Sequence, residues 1–196
     1  MTTFDERADA GARRIAWAGR GMPVLRGISA RLAASGALRG LRIGVGLVLE
    51  PKTANLAFAL RDAGAEVSVF CSGHSTDQET ADALAAAGLA VFAEQGADDE
   101  RDAELARAYL ATSPDIILDD GASIIRLAHR EFPDLVGRLL GAAEETTSGV
   151  RPLRAMHADD ALRIPVVAVN DAKTKYLFDN VYGTGQSCVM TLLDVT

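Results

Sequence analysis

Short apolar runs alternate with longer amphipathic stretches between residues 41 and 120, and this alternation constrains the fold more than any other feature. The short runs are rich in Val and Ile, as strands are, whereas the longer stretches carry apolar residues at helical spacing. The predicted order is strand 41–49, helix 53–64, strand 65–70, helix 77–88, strand 89–94, helix 99–112 and strand 114–120. Strands that alternate with helices form parallel sheets that helices cover. The sequence therefore predicts a three-layer α/β domain of the Rossmann-like or flavodoxin-like type.

The chain after Pro133 is expected to extend the same sheet. The order predicted there is a helix through Leu139, a turn over 142–150, a helix over 151–161, a strand over 163–170 and a helix from about Lys173. In the first part of the chain, Gly64 and Gly88 lie just past two predicted helices, where a left-handed residue commonly ends a helix. All 196 residues are expected to form one domain.

The last residues of the sequence, 184–196, keep a helical pattern to the end. The apolar positions of this pattern are Val189, Met190, Leu192, Leu193 and Val195. An apolar helix face without a cover is a typical interaction site, so we expect another surface to pack there.

The charge and hydropathy of the chain exclude two classes of partner. A formal net charge of -7, without any cluster of Lys and Arg, argues against nucleic acid. The apolar runs are much shorter than the roughly 20 residues that cross a membrane. The amino terminus lacks the apolar core of a signal peptide. We expect a cytoplasmic protein that contacts neither nucleic acid nor a membrane.

The cysteines and histidines show no metal-binding or catalytic spacing. Cys71 and Cys188 form no CxxC pair and are expected to be reduced and mostly buried, although the sequence leaves a disulfide open. His74, His129 and His157 are scattered, with no carboxylate or Cys at a defensible distance along the chain. We therefore predict no metal site.

Three segments follow predicted strands directly. They are residues 50–53, 119–123 and 170–175. Because ligands of open parallel sheets bind beyond the carboxyl ends of the strands, these segments are expected to converge on one crevice.

Lys175 and Asp179 lie four residues apart, and therefore on one face of a helix that Asn170 or Asp171 can cap. A lysine beside a carboxylate can act as a base in a dry cleft, where the loss of solvation lowers its pKa. From the spacing alone, a surface ion pair is the more common arrangement. Both interpretations stay open at this point.

Two pairs of neighbouring carboxylates are further candidates. Asp119 and Asp120 end a strand, so one of them can point into the crevice to bind hydroxyls, although solvation at a strand end explains them equally well. Glu144 and Glu145 precede the hydroxyl residues 146–148. This polar turn can bind a sugar or a phosphate, or it can cap the start of a helix.

Two glycine-rich strings need comparison with dinucleotide-binding loops. The string at 44–49 lacks the third glycine and lies inside a predicted strand, and the string at 183–188 follows no strand and has Cys188 in place of the third glycine. Neither meets the fingerprint in its structural context. We predict that this chain contains no NAD-binding domain.

The strings AAEETTSGV and PVVAVNDAKTKYLFDNVYGTGQS, at 142–150 and 165–187, resemble the adenosylhomocysteinase family, particularly its archaeal and bacterial form with YGTGQS. The likeness continues in collinear order through PDIILDDG, STDQETADALAAAG, AGAEV, EPKTA and GMPVL. It covers nearly the whole chain and implies the substrate-binding half of such an enzyme.

The resemblance implies a role for each matching residue. Lys175 and Asp179 match the lysine and aspartate at the sugar hydroxyls and the proton-abstraction site, and Asp120 and Glu145 match carboxylates at the ribose and active site. The other matches are a substrate-pocket threonine at Thr53, asparagines at Asn170 and Asn180, and a run that contacts NAD at Thr146, Thr147 and Ser148.

Three positions depart from the family pattern. Val48 stands where the family has a histidine after the first strand, an Asn-Pro-Leu run is shortened to Gly73 and His74, and Ser123 replaces an acid. These departures put ordinary homocysteine elimination in doubt. His74 is a candidate replacement for the histidine, but the sequence does not place it.

In the family, bound NAD oxidises the ribose 3'-hydroxyl, the 4'-hydrogen becomes acidic, and homocysteine leaves from the 5'-carbon. The resemblance also implies that residues 184–196 form a hinge helix towards an NAD-binding domain outside this chain. The expected function is an enzyme component that acts on S-adenosylhomocysteine or a related 5'-substituted nucleoside, with a separate NAD-binding subunit in an oligomer. The alternative is a non-catalytic nucleoside-binding or assembly module derived from the family.

Overall fold

A computed structural model describes residues 2–196. Two helices, α1 (Phe4–Arg20) and α2 (Pro23–Ser35), precede the first strand, and neither was predicted. The alternating part then follows: β1 (Arg42–Gly46), α3 (Pro51–Asp62), β2 (Glu66–Phe70), α4 (Gln78–Ala86), β3 (Ala90–Phe92), α5 (Asp99–Ala111) and β4 (Ile116–Asp119). Each element predicted for residues 41–120 is present. β1 is shorter than predicted and ends at Gly46.

The second half contains more elements than predicted. They are α6 (Ser123–Glu131), α7 (Pro133–Val136), β5 (Gly141–Glu144), α8 (Thr147–Ala158), β6 (Val166–Ala168), a π-helix (Lys175–Gln186) and α9 (Ser187–Val195). Two short 3-10 helices span Gly73–Ser75 and Val169–Asp171. The prediction of a turn over 142–150 was wrong for residues 142–144, because these residues belong to β5. The sequence GAAE of β5 has no β-branched residue and so gives no strand signal.

The six strands form one sheet in the order β3-β2-β1-β4-β5-β6, and every neighbouring pair is parallel. The connections reverse direction between β1 and β4, as in doubly wound Rossmann domains. Their carboxyl ends at this point open the crevice in which such sheets bind ligands.

Helices cover both faces of the sheet. One apolar cluster joins α1, α3 and α4 to the strands through residues such as Ile15, Ala54 and Leu84. A second cluster, on α5, α6 and α8, includes Tyr109 and Ile124. The predicted three-layer α/β fold is thereby confirmed.

Helix ends follow the predicted glycine chemistry. Gly64 and Gly88 have φ angles of 103° and 86°, in the left-handed region that glycine enters without strain. Among residues 2–196, no helix is both long and apolar enough to cross a membrane.

Candidate functional site

The two adjacent aspartates at the end of β4 have different surroundings. Asp119 is fully buried and accepts hydrogen bonds from the backbone N–H groups of Asp120, at 3.0 Å, and Ile125, at 2.8 Å. Burial raises the pKa of its carboxyl to about 7, and the negative charge of Glu144 adds to this rise. Asp120 is only partly buried. Asp120 is therefore the carboxylate that is available to the crevice, whereas Asp119 holds the turn.

The two glutamates at the end of β5 divide in the same way. Glu144 is fully buried and accepts from the backbone N–H groups of Gly121, at 3.0 Å, and Ala122, at 2.9 Å. Glu145 is partly buried, and burial raises the pKa of its carboxyl. The negative charge of Asp120 raises that pKa further, whereas the positive charge of Lys175 lowers it. Asp120 and Lys175 are therefore the two charged residues that act most on the Glu145 carboxyl.

Lys175 lies between two asparagines. Its ammonium donates to Asn180 Oδ1 at 2.8 Å and to Asn170 Oδ1 at 3.4 Å. Asn170 is 3% exposed, and its Oδ1 also accepts from the Thr147 hydroxyl at 3.0 Å. Among the described residues, no ion pair joins Lys175 to Asp179, so the surface ion pair that the spacing suggested is not formed. The amide oxygens orient the lysine and leave its charge without a carboxylate partner.

The prediction that Asn170 or Asp171 caps the following helix was wrong. That helix has Thr174 at its N-cap position, with no side-chain cap bond. Asn170 lies earlier, in a 3-10 helix, and uses its side chain to hold Thr147 and Lys175. Asp179 is exposed on the π-helix, one turn beyond Lys175.

The hydroxyl residues after β5 begin a helix. Thr146 is the N-cap of α8, accepts from the Gly149 backbone N–H at 3.1 Å and donates to Glu144 at 2.6 Å. The helix-capping interpretation of this turn is thereby confirmed for Thr146. Ser148 is exposed. Thr53 lies apart from this group in the first turn of α3, where its N–H donates to Glu50 at 3.3 Å.

All three departures from the family pattern line one cavity of about 330 Å³ at the carboxyl ends of β1, β2 and β4. Val48, His74 and Ser123 contribute to its wall, and Asp120 completes that wall. His74 is therefore in the same cavity as Val48, which the sequence could not establish.

The glycines of β1 serve packing. A Cβ atom on Gly44 would lie 2.7 Å from Cζ of Tyr109 and closer still to its hydroxyl oxygen, so only glycine permits the ring to pack there. The second string, at 183–188, lies in the π-helix and α9. The first string runs from β1 into the connection to α3 but lacks the third glycine of a dinucleotide-binding loop, and the second string follows no strand.

No cluster of metal-ligating side chains occurs among residues 2–196. Both cysteines are free thiols: Cys71 is buried, which raises its pKa, but Cys188 is exposed. The prediction of two mostly buried thiols was therefore wrong for Cys188. Exposed apolar side chains extend along the last two helices, among them Leu177, Phe178, Val189, Leu192 and Leu193.

Comparison with known proteins relates this arrangement to one family. The family model described as S-adenosyl-L-homocysteine hydrolase matches residues 5–132 and 122–192. An S-inosyl-L-homocysteine hydrolase of Methanopyrus kandleri is 47% identical over 96% of the chain and 45% of its own length. An adenosylhomocysteinase of Archaeoglobus fulgidus is 46% identical over 95% of the chain and 46% of its own length. The chain thus spans about half the length of the curated relatives that it matches.

Proposed function

Because the chain belongs to the S-adenosyl-L-homocysteine hydrolase family, we propose that it is the nucleoside-binding part of an enzyme of that kind. The substrate is a purine nucleoside with homocysteine or a related group on the 5'-carbon. The reaction is oxidation at the ribose 3'-carbon, elimination of the 5'-group with loss of the 4'-hydrogen, addition of water at the 5'-carbon and return of the hydride to the 3'-carbon. The observation that carries the proposal is the Lys175 cluster, in which a lysine, two asparagines and two partly buried carboxylates surround one crevice.

Lys175 is suited to bind and deprotonate a sugar. An ammonium group has three N–H donors, and the two asparagine oxygens accept from two of them. The third donor is free for a ribose hydroxyl, and the deprotonated amine can take a proton from an adjacent carbon. Asp120 and Asp179 are the catalytic carboxylates of the proposal. Glu145 accepts hydrogen bonds from hydroxyl groups of the substrate.

The proposed substrate contacts of Asn170, Asn180 and Thr53 complete the site. Asn170 has a buried Oδ1 shared between Thr147 and Lys175, so it sets the position of the lysine before substrate arrives. Asn180 holds the lysine from the other side. Thr53 lies beyond β1, across the strand-order reversal from β4. A base that contacts Thr53 would therefore lie across the reversal from the ribose.

A bound NAD would supply the oxidant for the ribose 3'-carbon. The side chains of residues 146–148 are suited only to a minor contact with NAD. The hydroxyls of Thr146, Thr147 and Ser148 already donate to Glu144, Asn170 and Thr146 respectively, and Ser148 is the exposed residue of the three. We therefore propose that NAD is held mainly by a polypeptide segment outside these 196 residues, with residues 184–196 as the hinge helix towards it.

The exposed apolar face of the last two helices supports such a partner, since an apolar surface of this kind is commonly covered in an assembly. An oligomer and a cytoplasmic location belong to the same proposal. The relatives are named for adenosyl and for inosyl substrates, and both bases therefore need testing.

Isothermal titration of the chain with adenosine and with inosine tests the proposal. We expect one of the two nucleosides to bind. Lys175→Ala should weaken that binding about tenfold or more, which corresponds to one lost charged hydrogen bond. Lys173→Ala should leave the binding unchanged. Lys173 is an exposed lysine two residues away and provides the matched control. If neither nucleoside binds, the proposal is wrong.

A second experiment separates the enzyme from the non-catalytic module. The chain is mixed with an NAD-binding polypeptide of the same family and with the nucleoside that binds. Formation of reduced nicotinamide that requires Lys175 supports the enzyme. Nucleoside binding without any such reduction supports the module.

A further inference from the structure

We infer that Glu144 is a positioning residue, which fixes the Asp120 carboxylate relative to Glu145 by holding the turns after β4 and β5 together. The inference rests on the proposed function, because it assigns Asp120 and Glu145 to the nucleoside site. Glu144 itself is fully buried.

The turn after β4 has an unusual backbone. Gly121 and Ala122 both adopt left-handed φ angles, of 73° and 56°. This conformation is strained for alanine, which has a Cβ atom, and it persists only where the surroundings impose it. Successive amides in such a turn point towards a common acceptor. Here the acceptor is Glu144, which receives the N–H of Gly121 at 3.0 Å and that of Ala122 at 2.9 Å. The Gly121 N–H also donates to the hydroxyl oxygen of Thr146 at 3.0 Å, and Thr146 is itself bound to Glu144.

The same carboxylate also holds the turn after β5. It accepts from the Thr146 backbone N–H at 2.8 Å and from the Thr146 hydroxyl at 2.6 Å. Glu145, a proposed substrate residue, lies between Glu144 and Thr146. A carboxylate with two oxygens can accept about four hydrogen bonds. All four bonds of Glu144 therefore serve the two segments that present Asp120 and Glu145.

Glu144 is closely packed on two sides. Glu144 is paired in register with Asp119, so the two buried carboxylates are neighbours at the ends of β4 and β5. Asp119 accepts from the backbone of Asp120 and Ile125, at the two ends of the same turn. On the other side, a Cβ atom on Gly149 would collide with the Glu144 carboxyl. The two acids together fix the turn that carries Asp120.

The test uses Glu144→Gln, which keeps the shape but turns one acceptor into a donor that faces N–H groups. We expect the amides of Gly121 and Ala122 to exchange with solvent at least about tenfold faster, since a lost hydrogen bond changes the opening equilibrium by about that factor. We expect adenosine or inosine affinity to fall about tenfold as well. The pKa of Asp120, which burial and then the charge of Glu144 raise, should fall in the variant when its carboxyl is titrated by NMR.

Asp82→Asn is the matched control. Asp82 is another buried carboxylate, 6% exposed, but it binds Arg7 and Gln78 between α1 and α4. We expect this variant to lose stability to chemical denaturation while the Gly121 amide, the Asp120 titration and nucleoside affinity stay as in the wild type. If Asp82→Asn weakens affinity as much as Glu144→Gln, Glu144 acts through general stability and the inference is wrong.

Two further results of these experiments also have a definite meaning. If Glu144→Gln does not fold, exchange in the wild-type protein decides: the Gly121 and Ala122 amides must exchange slowly, and rapid exchange overturns the inference. If neither nucleoside binds the wild-type protein, the proposed function fails, whereas the exchange and Asp120 titration still support or overturn the positioning by Glu144.

Discussion

The contact between Gly44 and Tyr109 gives a prediction that separates packing from cofactor binding in the glycine string of β1. Gly44 is buried in the sheet, and Tyr109 of α5 packs directly on it. A Cβ atom at position 44 would lie 2.7 Å from Cζ and 3.2 Å from Cε2 of the ring, with the hydroxyl oxygen closer still. Gly44→Ala therefore forces the ring out of place, and overpacking of this kind costs roughly 1–3 kcal/mol.

The hydroxyl group of Tyr109 is the point of closest approach, and it is buried without a hydrogen-bond partner among residues 2–196. A buried hydroxyl without a hydrogen-bond partner destabilises a protein by about 1–3 kcal/mol. The stabilisation that one packed oxygen atom provides is small by comparison. Tyr109→Phe alone should therefore leave the free energy of unfolding unchanged or raise it by about 1 kcal/mol. It should also relieve part of the Gly44→Ala collision, because the nearest remaining ring atom is Cζ at 2.7 Å.

Urea denaturation of the two single variants and the double variant measures this coupling. We expect the double variant to be more stable than the sum of the single effects by about 1 kcal/mol. Gly27→Ala is the control: Gly27 lies in α2 with open space around its Cβ position, so the same substitution should raise stability by about 0.5–1 kcal/mol. Additive effects at positions 44 and 109, or a loss above about 1 kcal/mol from Tyr109→Phe, would refute the packing explanation.

Three further predictions concern the site and its surroundings. The pKa of Asp119 is about 7 in the folded chain, against about 3.9 in an unfolded one. The contribution of Asp119 to the free energy of unfolding is therefore complete below about pH 4 and is lost as the pH rises through 7, which amounts to about 4 kcal/mol. Urea denaturation over this pH range should show the loss in the wild-type protein but not in Asp119→Asn. His74→Ala should weaken the binding of S-adenosylhomocysteine or S-inosylhomocysteine in calorimetry, but it should not change the affinity for the free nucleoside, because His74 lines the cavity beyond Asp120. An equal loss of affinity for the homocysteine compound and for the free nucleoside would contradict this placement. A thiol reagent should label one cysteine rapidly, and Cys188→Ser should abolish that labelling, because Cys71 is buried with a raised pKa; rapid labelling of the variant would count against it.

The fold could be predicted where the local pattern was strong. Runs such as IGVGLVL and DIILDD carry β-branched residues, and two of the three helices between them are followed by glycines, so the alternation up to β4 was visible in the sequence. β5 was missed because alanine and glycine give no strand preference. The sheet needs β5 because it lies between β4 and β6, and its position therefore depends on neighbours far away in the sequence.

Missing β5 also hid the different roles of its two acids. Along a strand, successive side chains point to opposite faces, and the burial of β5 alternates accordingly. If both acids lay in a turn, Glu144 and Glu145 would be equivalent candidates for the site. Because they lie at the end of a strand, Glu144 is buried and Glu145 reaches the crevice. The left-handed conformation of Ala122 gave no signal either, because alanine rarely adopts it. Tertiary hydrogen bonds to Glu144 impose it.

The distribution of kept and changed residues divides the proposed site into two regions. Lys175, Asn170 and Asn180 hold one another through hydrogen bonds, so a change in any of them would disturb the others. Val48, His74 and Ser123 line the cavity on different elements and are not linked by such bonds among the described residues, so they can change independently. Asp120 belongs to both regions, because it completes the cavity wall and lies near Lys175 and Glu145. In our proposal, the ribose chemistry is therefore the constrained part of the site, and the group on the 5'-carbon is the part in which this chain differs from its family.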